Sequence, residues 1–221
     1  MGFFEICKAL STGLIYTAEI FAFTLLFSIP LGLIVCFGRM SKIKPIAWFF
    51  KFYISVLRGT PLMLQLFVVY FAPYYFFGIS LGDMGESWLF VSVITGFSLN
   101  YAAYFAEIFR SGINSVPKGQ NEAAKVLGMN KFQSFFLIVF PQVVRAVLPS
   151  VTNEIITLVK DTSIAFAIAQ VEMFTVAKRI AGALTSMTPY LAAALIYYVF
   201  NLIVAYLLSL LEKRLNKYTI R

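Results

Sequence analysis

The chain is 221 residues long, 60% apolar, 17% aromatic and only 13% charged. A soluble domain carries about a quarter charged residues, so an ordinary water-facing surface is excluded and an integral membrane protein is the direct reading. The net charge of +8 is scattered over short loops between apolar blocks, without an aromatic-basic face, which points to membrane topology rather than nucleic acid.

A helix crosses the ~30 Å hydrocarbon layer with about 20 mostly apolar residues, and five stretches satisfy that rule. The first, Thr12–Phe37, carries Pro30 as an expected kink. Its length, the basic cluster that follows rather than precedes it, and the lack of a small-residue cleavage site separate it from a signal peptide. Cys7 and Cys36 lie at opposite ends of this segment, too far apart for a disulfide. Next, "KIKPIAWFFKFYISVLRG" is apolar yet carries Lys51 and Arg58. That suits a helix along the membrane interface, with Trp48 and Tyr53 as anchors. Thr60 as N-cap and Pro61 as first helical residue open the second span, Pro61–Phe77, in which Gln65 is a secondary polar candidate.

The third span, Trp88–Ile108, holds Asn100, Tyr101 and Tyr104 as polar candidates, with Asn100 and Tyr104 four residues apart on one face. A buried asparagine near mid-span needs a partner, and a substrate cavity is one available place. The tyrosines equally suit packing or interface anchoring. Glu107 and Arg110 have the spacing of a local ion pair. The fourth span, Leu148–Val171, is interrupted near its midpoint by Lys160 and Asp161, and the fifth is Pro189–Leu211.

The loops orient these spans. Five basic residues (Arg39, Lys42, Lys44, Lys51, Arg58) separate spans one and two, and five more (Arg110, Lys118, Lys125, Lys131, Arg145) separate spans three and four. Lys213, Arg214, Lys217 and Arg221 follow the last span. The opposite side has Lys8, Lys178 and Arg179, together with Asp83 and Glu86 in "GISLGDMGES". The positive-inside rule puts the N-terminus outside and the C-terminus in the cytoplasm, as an odd number of spans requires.

Covalent chemistry is not expected of this chain. It has no histidine to act as base or metal ligand, no GxxxxGK[ST] phosphate loop and no Ser/His/Asp set.

The longest loop, 112–145, contains "SVPKGQNEAAKVLGMNKFQSFFLIVFPQ". Glu122 to Leu127 reads as a short helix of good helix formers ended by Gly128, and the apolar run Phe132 to Phe140 is stopped by Pro141. Outside the membrane such a helix is a surface connection or a docking knob. Glu122-Ala123-Ala124, followed by Gly128, Ile138 and Pro141, resembles the EAA loop of ABC importer permeases, with Phe140 where the family pattern prefers leucine. "RGTPLMLQL", "AAYFAEIFRSGI", "VPKGQNEAAKVLGM", "NEIITLVKDTS" and "LLEKRLNKYTIR" resemble stretches of the polar amino acid permease branch, in matching order over nearly the whole chain.

The resemblance implies an all-α transmembrane, five-span permease in the cytoplasmic membrane of a bacterium. Its implied partners are a second permease subunit, identical or different, two copies of a separate ABC ATPase, and an extracytoplasmic substrate-binding protein. ATP and magnesium would belong to the ATPase, with no cofactor on this chain. Glu122, Ala123, Ala124, Gly128 and Met129 would form the ATPase-coupling element. The substrate would be a polar amino acid, whether basic, neutral or cystine.

Charges within hydrocarbon usually face the bundle interior or a wet cavity, because each costs roughly 2.5–3.5 kcal/mol there. Glu154 and Asp161 are seven residues apart and share a face, with Lys160 about 100° away. The run Asp161-Thr162-Ser163 offers caps for a broken, restarted helix, a common substrate site in transporters. In that reading Lys160 and the amides at 162–163 take the substrate carboxylate, and Asp161 or Glu154 takes the ammonium or a basic side chain. Alternatively these charges pair with other helices, or with a twin subunit, and fix register. An ion-gradient-driven secondary amino acid transporter is the rival function. It needs a coupling-ion site and has no use for the EAA knob. A membrane enzyme or scaffold is a weaker rival for want of a nucleophile and base.

Overall fold

A computed structural model describes residues 2–216, all helix and connecting turns with no strand among them. The tail residues Lys217 and Arg221, and the side chain of Glu86, lie outside the described residues. Among the described residues nine α-helices follow in order: α1 Phe3–Arg39, α2 Lys44–Gly59, α3 Leu62–Phe77, α4 Gly85–Ser115, α5 Lys118–Val126, α6 Lys131–Gln133, α7 Phe140–Asp161, α8 Met173–Leu184 and α9 Thr188–Asn216. Among the described residues, four helical rods are long and apolar enough to cross a membrane, and up to five if α2 and α3, joined by a 113° bend, count as one span.

Helix directions follow from the packing. Phe23 meets Phe90 edge-on, and Gly32 lies against Ala102 and Phe105, so α1 and α4 run parallel. Leu10 clusters with Ala192 and Ala193 while Phe21 meets Phe200, so α9 runs the same way. Helix α3 is antiparallel to these, since Leu66 faces Gly96 and the Trp88 Nε1–H donates to the Tyr70 carbonyl at 3.0 Å. So is α7, whose Val147 packs on Gly112 while Asp161 reaches Tyr101. The helices α1, α3, α4, α7 and α9 thus alternate strictly in direction, the arrangement that successive passes through one layer require. One end of the bundle therefore gathers the C-terminal ends of α1, α4 and α9 with α2, α5 and the starts of α3 and α7, and it carries Arg39, Arg58, Arg110, Lys118, Lys125, Lys131, Arg145, Lys213 and Arg214.

Close approach depends on small residues. Along α1, Gly13, Thr17, Thr24, Ser28 and Gly32 form a buried stripe, the pattern that lets membrane helices touch along their backbones. A Cβ on Gly32 would sit 2.8 Å from Phe105 Cβ, and one on Gly13 would sit 2.7 Å from Met173 Cα. The core at mid-height is then filled by Ile20, Leu66, Phe97, Tyr101, Phe105, Leu158 and Val159.

Helix α3 is capped by Pro61 and not by Thr60, which ends α2 and donates its hydroxyl to the Val56 carbonyl at 2.8 Å, and three further features depart from the sequence expectations. First, Pro141 does not stop the apolar run. Residues 131–168 form one helical rod, because the chain widens into a π-helix over Ser134–Val139 before the proline. Widening relieves the clash that the ring makes with the carbonyl four residues back. Second, the helix does not break and restart at Asp161. It tightens into a 3₁₀ segment, Thr162–Ile168, that ends at Ala169 with φ +61°. Third, α8 was not foreseen. Glu172 caps it, fully buried, accepting from the Phe174 N–H at 2.7 Å, the Thr175 N–H at 2.6 Å, the Thr175 hydroxyl at 2.8 Å and the Tyr197 hydroxyl at 2.9 Å. Burial pushes this carboxyl up, and the hydrogen bonds it accepts pull the other way.

Candidate functional site

Helix α7 presents Glu154 and Asp161 to α4, two turns apart on one face. Asp161 accepts a 2.7 Å hydrogen bond from the Tyr101 hydroxyl. Tyr101 lies nine residues before Arg110, roughly 13 Å along the helix, which is about half of a ~30 Å layer. Glu154 lies one site nearer the basic end and lines a cleft of about 430 Å³ with Arg58, Tyr104, Glu107, Arg110 and Ser150. The Arg58 guanidinium stands 5.0 Å from the centre of the Tyr104 ring, a cation–π contact that holds it above the cleft floor. Glu107 and Arg110 form the expected ion pair at 2.6 Å, and they are part of the cleft wall. Beside that ion pair the cleft presents one further acid and one further base, from α7 and the α2–α3 bend, at a separation that neither helix sets alone.

The other site candidates are placed differently. Lys160 is exposed on the far side of α7, and among the described residues the only ion pair is Glu107–Arg110, so it does not pair with Asp161. The Thr162 hydroxyl donates back to the Val159 carbonyl at 2.7 Å and that of Ser163 to the Lys160 carbonyl at 2.8 Å, while the Thr162 amide donates to Leu158. These groups satisfy the tightened helix and leave no free amide at Thr162. Asn100 finds its partner in the α2–α3 bend, where its amide donates to the Leu57 carbonyl and to Gln65 Oε1, both at 3.0 Å. The Gln65 amide donates in turn to the Leu57 and Thr60 carbonyls and to the Thr60 hydroxyl at 2.8–3.0 Å. Asn100 and Gln65 thus pin the elbow that carries Arg58 and stand outside the cleft. Arg58 is the cleft residue that sequence reasoning overlooked. Its signal is its place on a bend, where a basic residue in a helix-capping "RGTP" turn is brought inward.

At the same end, α5 stands clear of the bundle. Of its residues only Ala124 is buried, while Val126 and Leu127 are 87% and 76% exposed. Gly128 (φ +75°) closes it in a Schellman turn, in which its own N–H donates to the Lys125 carbonyl and that of Met129 to Ala124, each at 3.0 Å. The turn fixes an apolar tip, Val126–Leu127, pointing away from the membrane helices.

Residues 28–217 match the protein family described as binding-protein-dependent transport system inner membrane component. The chain is similar to the L-cystine transport system permease protein TcyB of Bacillus subtilis (strain 168), with 36% identity over 95% of this chain and 87% of that protein. It is equally similar, at 36%, to the arginine transport system permease protein ArtQ of the same organism, over 92% of this chain and 91% of the relative. Among solved structures, an amino acid ABC transporter with histidines superposes with a TM-score of 0.85 at 33% identity, over 97% of this chain and 99% of that one.

Proposed function

This chain belongs to the binding-protein-dependent transport system inner membrane components, and from that premise we propose that it is the permease subunit of an ATP-driven importer of polar amino acids in the bacterial cytoplasmic membrane. The observation that carries the reading is the cleft between α4 and α7. It holds an acid, Glu154, and a base, Arg58, and it lies at the bundle end from which α5 projects. A free amino acid has a carboxylate and an ammonium on one carbon, which is the charge pattern such a cleft complements. Arg58 receives the carboxylate, for which its planar fork is suited. Glu154, with Asp161 deeper in the layer, receives the ammonium or a basic side chain. Lys160, Thr162 and Ser163 take part only where the cavity continues around α7 towards a second permease subunit.

The mechanism is alternating access. The exposed tip of α5, with Glu122, Ala123, Ala124, Gly128 and Met129, seats on one of two ATPase subunits. Closure of that pair moves the α5 ends of two permease subunits together, and the cleft changes the side it faces. An extracytoplasmic binding protein supplies substrate at the other end. The concentration of positive charge at the α5 end supports a cytoplasmic C-terminus. The equal similarity to cystine and arginine permeases leaves the choice among polar amino acids to experiment.

The test is uptake into proteoliposomes holding the chain with its ATPase, with the substrate-binding protein added outside. Uptake of labelled cystine, arginine or glutamine should require ATP inside the vesicle. Glu154→Gln should lower the rate about tenfold or more, the effect of losing a charge-assisted contact, while the ATPase still co-purifies. Uptake that runs on an ion gradient without the ATPase would sink the proposal.

A further inference from the structure

Between Leu10 and Phe37, α1 has a single charged residue, Glu19, and it is exposed. Twenty residues separate it from Arg39, about 30 Å along the axis, so with Arg39 at one face of the hydrocarbon layer Glu19 lies at the other. There it borders a cleft of about 480 Å³ formed by α1, the first turn of α4 and the turn into α8, with Tyr16, Ser87, Gln170 and Arg179 on the remaining walls. The Arg179 guanidinium comes from α8, yet among the described residues no ion pair within 4.0 Å joins it to Glu19 or to any other acid. Gln170 is only 7% exposed and is one of the residues lining the cleft. Its Nε2–H donates to the Val171 carbonyl at 3.2 Å, and its Oε1 accepts from none of the described residues. The left-handed backbone at Ala169 turns the chain so that Gln170 is held at this wall.

An amide oxygen without a donor, an acid and a base thus line one small cavity from three separate parts of the fold. We propose that this outer cleft is a second amino acid site, distinct from the cleft at Glu154. Arg179 takes the carboxylate, Glu19 the ammonium, and Gln170 Oε1 accepts from the same ammonium. The inference rests on the amino acid importer reading and adds an entry site at the mouth opposite α5.

The test uses the transporter with its ATPase in lipid nanodiscs, without binding protein, titrated with labelled L-arginine, L-cystine and L-glutamine. For whichever ligand binds, two sites per permease chain are expected, one of which weakens about tenfold or more in Arg179→Gln and in Glu19→Gln. The central site responds to Glu154→Gln instead. On the wild-type protein, the amide of that ligand and its N-acetyl derivative should each lose the outer site. In Arg179→Gln the amide should bind no worse than the parent amino acid, since the carboxylate has no partner left to lose. A single site per chain that only Glu154→Gln weakens would overturn the outer site and leave the importer standing. Failure of all three amino acids to bind the wild-type assembly would overturn both.

Discussion

At the level of single residues, the polar atoms inside the bundle divide into those engaged with the fold and those left facing a cleft. Tyr101 belongs to the first group, because its hydroxyl is the hydrogen-bond partner that the structure gives to Asp161. Tyr101→Phe keeps the ring packing against Phe97 and Phe105 but removes that donor. A hydrogen bond to a charged group contributes about 1.5–3 kcal/mol, so the variant should unfold at lower denaturant in detergent, and Asp161→Asn in the same background should recover part of the loss. The charged residues of the fourth apolar segment were legible as interior groups because insertion costs are large there. Their division was not, since sequence spacing places Lys160 only ~100° from Asp161 and says nothing of what covers each side. Arg58 reads as a topology charge until the 113° bend brings it over Tyr104.

For whole helices, apolar length found the positions of α1, α3, α4, α7 and α9, and the EAA stretch found α5 with its terminating glycine. Helix ends were less legible, because a hydropathy ruler stops where polarity begins, whereas α4 and α9 continue as helices beyond the apolar segment. Helix α8 escaped because its twelve residues are too few to span, and its buried face of Met173, Thr175, Ala177 and Ala181 is mostly small. Its cap ties it to α1 through the Met173 N–H, which donates to the Thr17 hydroxyl at 3.1 Å. The neighbouring contact at Gly13 has backbone on both sides and nothing flexible to yield. Gly13→Ala should therefore cost about 1–3 kcal/mol, the range for overpacking. A lower midpoint in a thermal melt of the detergent-solubilised protein is the expected result, against an unchanged melt for Gly119→Ala, where a Cβ meets nothing within 4 Å.

Across the whole molecule, alternation of five passes and the grouping of basic residues at one end agree with each other. The proposed orientation makes a direct prediction for a membrane-impermeant thiol reagent on intact cells. In a background with Cys7 and Cys36 replaced by serine, Lys178→Cys on α8 should label from outside, and Lys213→Cys on α9 should label only after the membrane is opened. The reverse pattern would invert the molecule and exchange the roles assigned to its two clefts.

The seam that joins α1 to α8 has a further consequence, for the order in which the protein is made. The Thr17 hydroxyl and the Met173 amide it receives are 156 residues apart in the chain. Gly13, Thr17 and their neighbours therefore leave the ribosome long before the segment that fills their groove, and contacts of such separation form late. Until α8 and α9 are complete, Glu172 lacks the Tyr197 hydroxyl and α1 has a polar notch with nothing in it. A nascent chain halted between α7 and α9 thus displays an unfinished corner, and Tyr197 of α9 is the residue that completes the cap at Glu172.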